Sequence, residues 1–269
     1  MQQAITRRTL LQSLASLPLV AATPAFARKP SIERLIADAS PLPTASERMD
    51  FISHALLGAR YQANTLIGGP RRREVFVVRD DAFDCVTFCE VVLAAALARD
   101  LAGFDTLLRR IRYAHGEVKW DERNHYFADW TRRAAENGIC RPVAIEPAVT
   151  IEKTVNWRNL GKRRVSLAVI PRAALMVNRN LLASGDVIGF VSRRPNLDFH
   201  HTGLIARGKD GELLLRHASQ RRGRVVEERM DRFVAANRVQ YVTLVRAADS
   251  TETADRGFSD RGRALYSIR

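Results

Sequence analysis

The chain predicts an α+β fold in which a helical first half, carrying a reactive cysteine, packs on an antiparallel sheet formed by the second half. Three observations predict it. The acidic turn Asp81-Ala82-Phe83-Asp84 runs directly into residues 85–98, an almost unbroken apolar stretch of good helix formers. From residue 184 onward, short runs rich in Val, Ile and Leu alternate with turn residues, the pattern of successive strands. No repeat, low-complexity tract or linker interrupts residues 28–247, so they form a single domain between a leader at 1–27 and a loose, apolar-poor tail at 248–269.

The leader comes first. Arg7-Arg8, a short weakly apolar region and Ala25-Phe26-Ala27 describe a twin-arginine export signal with cleavage after Ala27, so the product is expected in the periplasm or secreted. Residues 31–39 form a short helix stopped by Pro41 and Pro43. Thr44-Ala45-Ser46-Glu47 is a capping box that opens a second helix, ended by Gly58. Residues 59–66 are a loop, and 75–78 a short strand leading to the acidic turn. Asp84 is the expected N-cap of the helix over 85–99, which puts Cys85 in its first turn. Unpaired N–H groups and the positive end of the helix dipole favour a thiolate there.

Phe104, Leu107, Leu108 and Ile111 recur at helical spacing and predict a helix over 104–113, closed by Gly116. Asn124-His125-Tyr126 opens the next, which ends at Asn137-Gly138. An extended stretch covers 143–151, a strand 165–170 stopped by Pro171, and a short helix 173–181. Strands follow at 185–191, 201–206 and 213–218, the last two joined by a hairpin turn at Lys209-Asp210-Gly211. Residues 228–236 read as a helix and 239–245 as a final strand.

Composition narrows the function classes. With 43 basic and 29 acidic residues the chain carries a formal +14. Cleavage after Ala27 removes Arg7 and Arg8, leaving 41 against 29, or +12. Such a surface attracts polyanions; for an exported chain these are peptidoglycan stem carboxylates and anionic lipid or glycan, rather than the nucleic acid expected of a cytosolic chain. No apolar run approaches the roughly 20 residues of a spanning helix. Three cysteines are too few for a disulfide scaffold, and Cys89 and Cys140 read as small core residues. No C-x-x-C or spaced Cys/His set suggests a metal, and no cofactor is expected.

A cysteine nucleophile needs a base within hydrogen-bond reach and a third group to orient that base. Of the six histidines, His201 begins a strand and His217 lies late in its hairpin partner. Paired antiparallel strands bring two such side chains onto one face, next to the helix they pack against. His201 is then the base and His217 its orienting partner, while His200 points to the opposite face. The Asn124-His125-Tyr126 cluster offers hydrogen bonds to sugar hydroxyls or N-acetyl groups, or else caps and packs its helix. Arg112 either meets a peptide carboxylate or forms a surface ion pair, and Trp120 and Trp130 read as core.

The order Tyr61, Phe83-Asp84-Cys85, Gly185-Asp186-Val187-Ile188, His201-Thr202-Gly203-Leu204-Ile205 and His217-Ala218-Ser219 resembles the NlpC-type papain-like cysteine hydrolases of bacterial cell walls. The family's usual D-C-S-G reads Asp84-Cys85-Val86-Thr87 here. That departure, with Arg112-Tyr113-Ala114-His115-Gly116, Asn124 to Trp130 and Leu214 to Ser219, resembles a narrower branch: the N-acetylmuramoyl-L-alanine amidase-like family, long described only as a domain of unknown function. The likeness spans roughly residues 45–247.

The resemblance implies a papain-like fold and a catalytic Cys85-His201-His217 triad, with Tyr61 lining the oxyanion region. Asp84, Arg112, Asn124, His125 and Tyr126 join Tyr61 as candidate oxyanion or substrate-binding residues. It further implies cleavage between the muramic lactyl group and L-alanine, with a preference for soluble anhydro-muropeptides. A monomer is favoured. The alternatives are a γ-D-glutamyl-diaminopimelate endopeptidase on the same chemistry and a non-catalytic basic wall-binding module. A lipid acyltransferase on a permuted scaffold would place the histidine before the cysteine, and here Cys85 precedes His201.

Overall fold

The computed structural model describes residues 31–156 and 160–249. The segment 1–27, read above as an export leader, and the tail from 250 lie outside the described residues. Residues 248 and 249 belong to the body: Ala248 N–H donates to Ile139 O at 3.0 Å, and Asp249 Oδ1 accepts from Ala45 N–H at 2.6 Å.

The helix starts follow their caps. Helix α1 (Ile32–Ala39) opens on the Ser31 hydroxyl, and α2 (Ala45–Ala55) on the full Thr44/Glu47 box. Helix α3 (Cys85–Leu97) opens on Asp84, whose Oδ1 accepts from Val86 N–H at 3.1 Å and Thr87 N–H at 2.8 Å. A cap of this kind contributes about 1 kcal/mol. Residues 87–96 of α3 are buried on every side, so this is the central helix, wrapped by α1, α2, α4 (Leu101–Arg112) and the sheet. Each fully buried Val or Leu there contributes roughly 1.5–3 kcal/mol. Helix α5 (Phe127–Glu136) starts three residues later than Asn124; the Asp198 carboxylate caps it from a distance by accepting from Ala128 N–H at 2.9 Å.

Among the described residues the strands are β1 (Arg60–Tyr61), β2 (Ile67–Gly69), β3 (Arg72–Val75), β4 (Ala82–Phe83), β5 (Cys140–Pro142), β6 (Val149–Val155), β7 (Arg163–Pro171), β8 (Val187–Val191), β9 (Phe199–Arg207), β10 (Leu213–Ser219), β11 (Arg224–Arg229) and β12 (Tyr241–Ala247). Strands β2 and β3 form a separate hairpin. The others make one sheet, ordered β4-β1-β11-β10-β9-β8-β12-β7-β6 with β5 on β12, which curls into a half-barrel. Its pairings are antiparallel apart from β1 with β4.

Alternation along the strands feeds two cores. Val187, Leu204, Ala218 and Val245 face α3, whereas Ile188, Phe190, Ile205, Leu215 and Leu244 face α6 (Arg172–Val177) and α7 (Met230–Ala236).

The structure corrects the reading in several places. The strand expected at 75–78 is instead β3, which ends where it was to begin. Of the expected 143–151 stretch only 149–151 is strand, the start of β6; β5 ends just before it, at Pro142. Residues 228–236 are not one helix: β11 runs through Arg229 and α7 starts at Met230. Arg224, the last residue of the Arg221-Arg222-Gly223-Arg224 run, opens β11. Six residue pairs between β10 and β11 outweigh the helix propensity of Glu227, Glu228 and Arg229.

Candidate active site

Cys85 is the first residue of α3 and half-buried. Two strand pairs carry Tyr61 to it. Strand β1 pairs with β4 so that Tyr61 lies opposite Phe83, two residues before the cysteine, and Tyr61 N–H donates to Gly223 O at 2.8 Å in the β10–β11 turn. The Tyr61 hydroxyl is held above its usual pKa by burial, then by Cys85 and Asp84, which keeps it a hydrogen-bond donor.

The other wall of the site is a splay in the sheet. Strands β9 and β10 pair from Leu213↔Arg207 to Arg216↔Leu204 and then part, while β8 still pairs with Gly203, Thr202 and His201. Ile205 spends both backbone groups on the β8 side, accepting from Gly185 N–H at 2.9 Å and donating to Asp186 O at 2.8 Å. By strand alternation the N–H of Thr202 points the other way, toward β10, where the ladder has stopped. The Thr202 N–H is one of the groups that favour a thiolate at Cys85. One turn further along α3, Cys89 Sγ lies 3.8 Å from the Thr202 hydroxyl.

His201 and His217 meet in the same splay. Nε2 of His201 lies 2.6 Å from Nδ1 of His217, with the rings edge-to-face at 4.8 Å between centroids. Phe190 stacks on His201 at 6.1 Å and Phe233 of α7 packs against both rings. Phe233 brings α7 against both rings, while α3, which Cys85 opens, packs on the same two strands, β9 and β10. Gly203 makes this possible, since a Cβ there would come within 2.9 Å of His217 Cβ. A pocket of about 400 Å³ opens on the pair, lined also by Ser219, Gln220, Arg221 and Glu228.

The charge states differ from the thiolate expected at the helix start. N–H groups of Thr202, Cys85 and Val86 favour the thiolate, but burial and the adjacent Asp84 carboxylate outweigh them and push the thiol up to about 12. Burial, then the neighbouring His217 and His200, takes His201 down to about 3. The resting pair is a neutral thiol and a neutral imidazole.

His200 does not point away from the site. The β8–β9 register shifts between Phe190 and Val191, so His200 is the extra residue of a bulge and lines the same pocket. Asp84 acts as the cap; it occupies the N–H groups of Val86 and Thr87 and leaves that of Cys85.

The remaining candidates are held by the scaffold. Arg112 is buried, donating to Glu90 Oε2 at 2.8 Å and Val77 O at 2.6 Å. Asn124 donates to Ile111 O at 2.9 Å and accepts from Arg133 at 2.7 Å. His125 places Nε2 2.7 Å from Trp120 O and lies tilted against the Trp120 ring at 4.5 Å; Trp120 is half-buried, unlike the core Trp130. Tyr126 is buried under the Arg163 guanidinium, 4.6 Å from its ring.

The Arg112–Glu90 pair carries a stability prediction. Burial raises the Glu90 carboxyl against the pull of Arg112. Removing the carboxylate strands a buried guanidinium, so Glu90→Ala should cost about 3–5 kcal/mol and lower Tm by roughly 10 °C. A melt within 2 °C or so of the parent would show that the pair is dispensable.

Sequence reasoning missed Glu228. Its Oε1 lies 2.8 Å from His217 Nε2, the nitrogen that His201 does not use. The one sequence signal was the Val225-Val226 pair just upstream, which fits a strand better than a helix.

A family model described as N-acetylmuramoyl-L-alanine amidase-like matches residues 51–242. No curated protein matches. Among solved structures, an N-acetylmuramoyl-L-alanine amidase from Bacteroides uniformis is 24% identical, with a TM-score of 0.68 over 76% of this chain and 99% of that one. A Legionella pneumophila protein is 21% identical, with a TM-score of 0.71 over 81% and 93%. A Bacteroides fragilis protein provisionally named a xylanase is 24% identical, with a TM-score of 0.64 over 72% and 98%. At these identities the likeness is one of fold.

Proposed function

The chain belongs to the N-acetylmuramoyl-L-alanine amidase-like family, and from that premise we propose that it is an exported cysteine amidase of papain-like, NlpC-type architecture that cleaves the N-acetylmuramoyl-L-alanine bond of muropeptides. One observation supports this reading most: His201 and His217 touch at 2.6 Å on an open pocket, on the strands against which the Cys85 helix packs.

The chemistry is acyl transfer. The Cys85 sulfur attacks the lactyl carbonyl carbon while its proton passes to Nδ1 of His201, the nitrogen not engaged by His217. With both groups neutral at rest, the proton moves only as the S–C bond forms. The carbonyl electrons go to oxygen, and the Cys85 N–H and Tyr61 hydroxyl are the donors offered to it. The tetrahedral adduct collapses, the C–N bond breaks, and the His201 imidazolium protonates the leaving amine of L-alanine. Water then attacks the thioester, giving a proton to the same imidazole. The C–S bond breaks and the thiol is regenerated.

Glycosidase chemistry, suggested by one neighbour's provisional name, is less well supported. It needs two carboxyl groups facing the scissile bond. Glu228 is the one carboxylate among the residues lining this pocket, and it is bonded to His217. Among the described residues no helix is long and apolar enough to cross a membrane.

Incubating the protein with an anhydro-disaccharide-tetrapeptide and weighing the products tests the reading. Free anhydro-disaccharide plus intact tetrapeptide is the expected result. A shortened stem still attached to sugar would assign the γ-D-glutamyl-diaminopimelate bond instead, and no cleavage with retained binding would leave a wall-binding module.

A further inference from the structure

We propose that Glu228 is a positioning residue at the end of a four-membered relay, Cys85–His201–His217–Glu228, and that it sets which nitrogen of each imidazole carries the proton. The inference rests on the roles given above to Cys85 and His201.

The geometry forces a proton order. An ionised carboxylate only accepts hydrogen bonds, so His217 Nε2, 2.8 Å from Glu228 Oε1, must carry a proton. A neutral His217 then has a bare Nδ1. That lone pair lies 2.6 Å from Nε2 of His201, which must therefore be the donor. His201 is left with a bare Nδ1, the form that can accept a thiol proton. Without an acceptor beyond His217, both rings are free to take the opposite tautomer. His201 then presents an N–H to the sulfur and cannot act as base.

Three of the four members sit on three adjacent strands, His201 on β9, His217 on β10 and Glu228 on β11, and Cys85 opens α3. His217↔Val226 is a paired position in the β10–β11 ladder, which places Glu228 two residues along the same face. The charged and titratable groups around His217 are His201 from β9, Glu228 from β11 and Arg221 from the β10–β11 turn; α7 contributes only the Phe233 ring. Burial and Arg221 work against protonation of His217, and Glu228 works for it.

Two measurements test the proposal. Nitrogen-15 NMR of the intact wild-type protein at neutral pH should show both His201 and His217 as Nε2–H tautomers. An Nδ1–H signature at His217 overturns the relay, whether or not the protein hydrolyses anything. This readout also stands if a Glu228 variant fails to fold.

In folded Glu228→Gln, whose amide can donate or accept, kcat should fall about 10–100-fold with KM changed less than about threefold. The acid limb of kcat/KM should move to lower pH, because the His217 cation has lost its carboxylate. A merely structural role would leave that limb in place. Parent-like kcat and an unmoved limb in the folded variant would refute a positioning role. Failure of the amidase reading would show separately, as hydrolysis that does not depend on Cys85.

Discussion

Cys85→Ala should reduce turnover of an anhydro-disaccharide-tetrapeptide by about 10⁴–10⁶-fold, to the level left by binding and oxyanion contacts. The expected size follows from the role: no other group in the site can form the thioester. Fold and binding should survive. Alanine is the best helix former, and the cap comes from Asp84 rather than from the cysteine. The change should therefore lie within about 1 kcal/mol in stability. Cys89→Ala is the matched control. That thiol is fully buried one turn deeper, against the Thr202 hydroxyl, and its loss should leave kcat near the parent value. Product masses measured on both variants settle the matter; undiminished hydrolysis by Cys85→Ala would remove the cysteine mechanism altogether.

His201→Ala carries the second large effect, about 10²–10⁴-fold in kcat. The reason is specific to this site. Burial holds the Cys85 thiol at about 12 and His201 at about 3, so no thiolate–imidazolium pair waits in the free protein. The imidazole is needed in the same step in which sulfur attacks, and again to protonate the leaving amine. The loss should appear in kcat with KM little changed. Added imidazole should recover part of it, because the deleted ring opens a space between Phe190 and Phe233. A His201→Ala variant with the parent's kcat would show that the base is another group. His200, on the bulge and in the same pocket, is the first to test.

Much of the helical half was legible in the residues. Ser31, the Thr44/Glu47 box and Asp84 each begin a helix where their side chains can reach backbone N–H groups two or three positions ahead. The nearness of His201 and His217 was legible from the hairpin turn at 209–211, although the β9–β10 ladder ends at Arg216↔Leu204 and the two meet by side chains alone. What failed was whatever depended on distant partners. Arg112 and Asn124 each left a ligand contact and a scaffold role open in the sequence; Glu90 and Val77 hold the first and Ile111 and Arg133 the second. A charged residue looks the same in sequence whether water or a buried carboxylate awaits it.

The amino-acid order alone determined local things: helix starts, the period-two faces of the sheet, and a thiol at the first turn of a buried helix. Those rest on hydrogen bonds and packing between residues a few positions apart. Tertiary structure alone decided the chemistry of the site. It parted β9 from β10 beside Thr202, bulged His200 into the pocket, and turned Glu228 from an expected helix into the strand that faces His217. Each outcome depends on which strand edge meets which, a competition among long-range pairings that no short window of sequence contains.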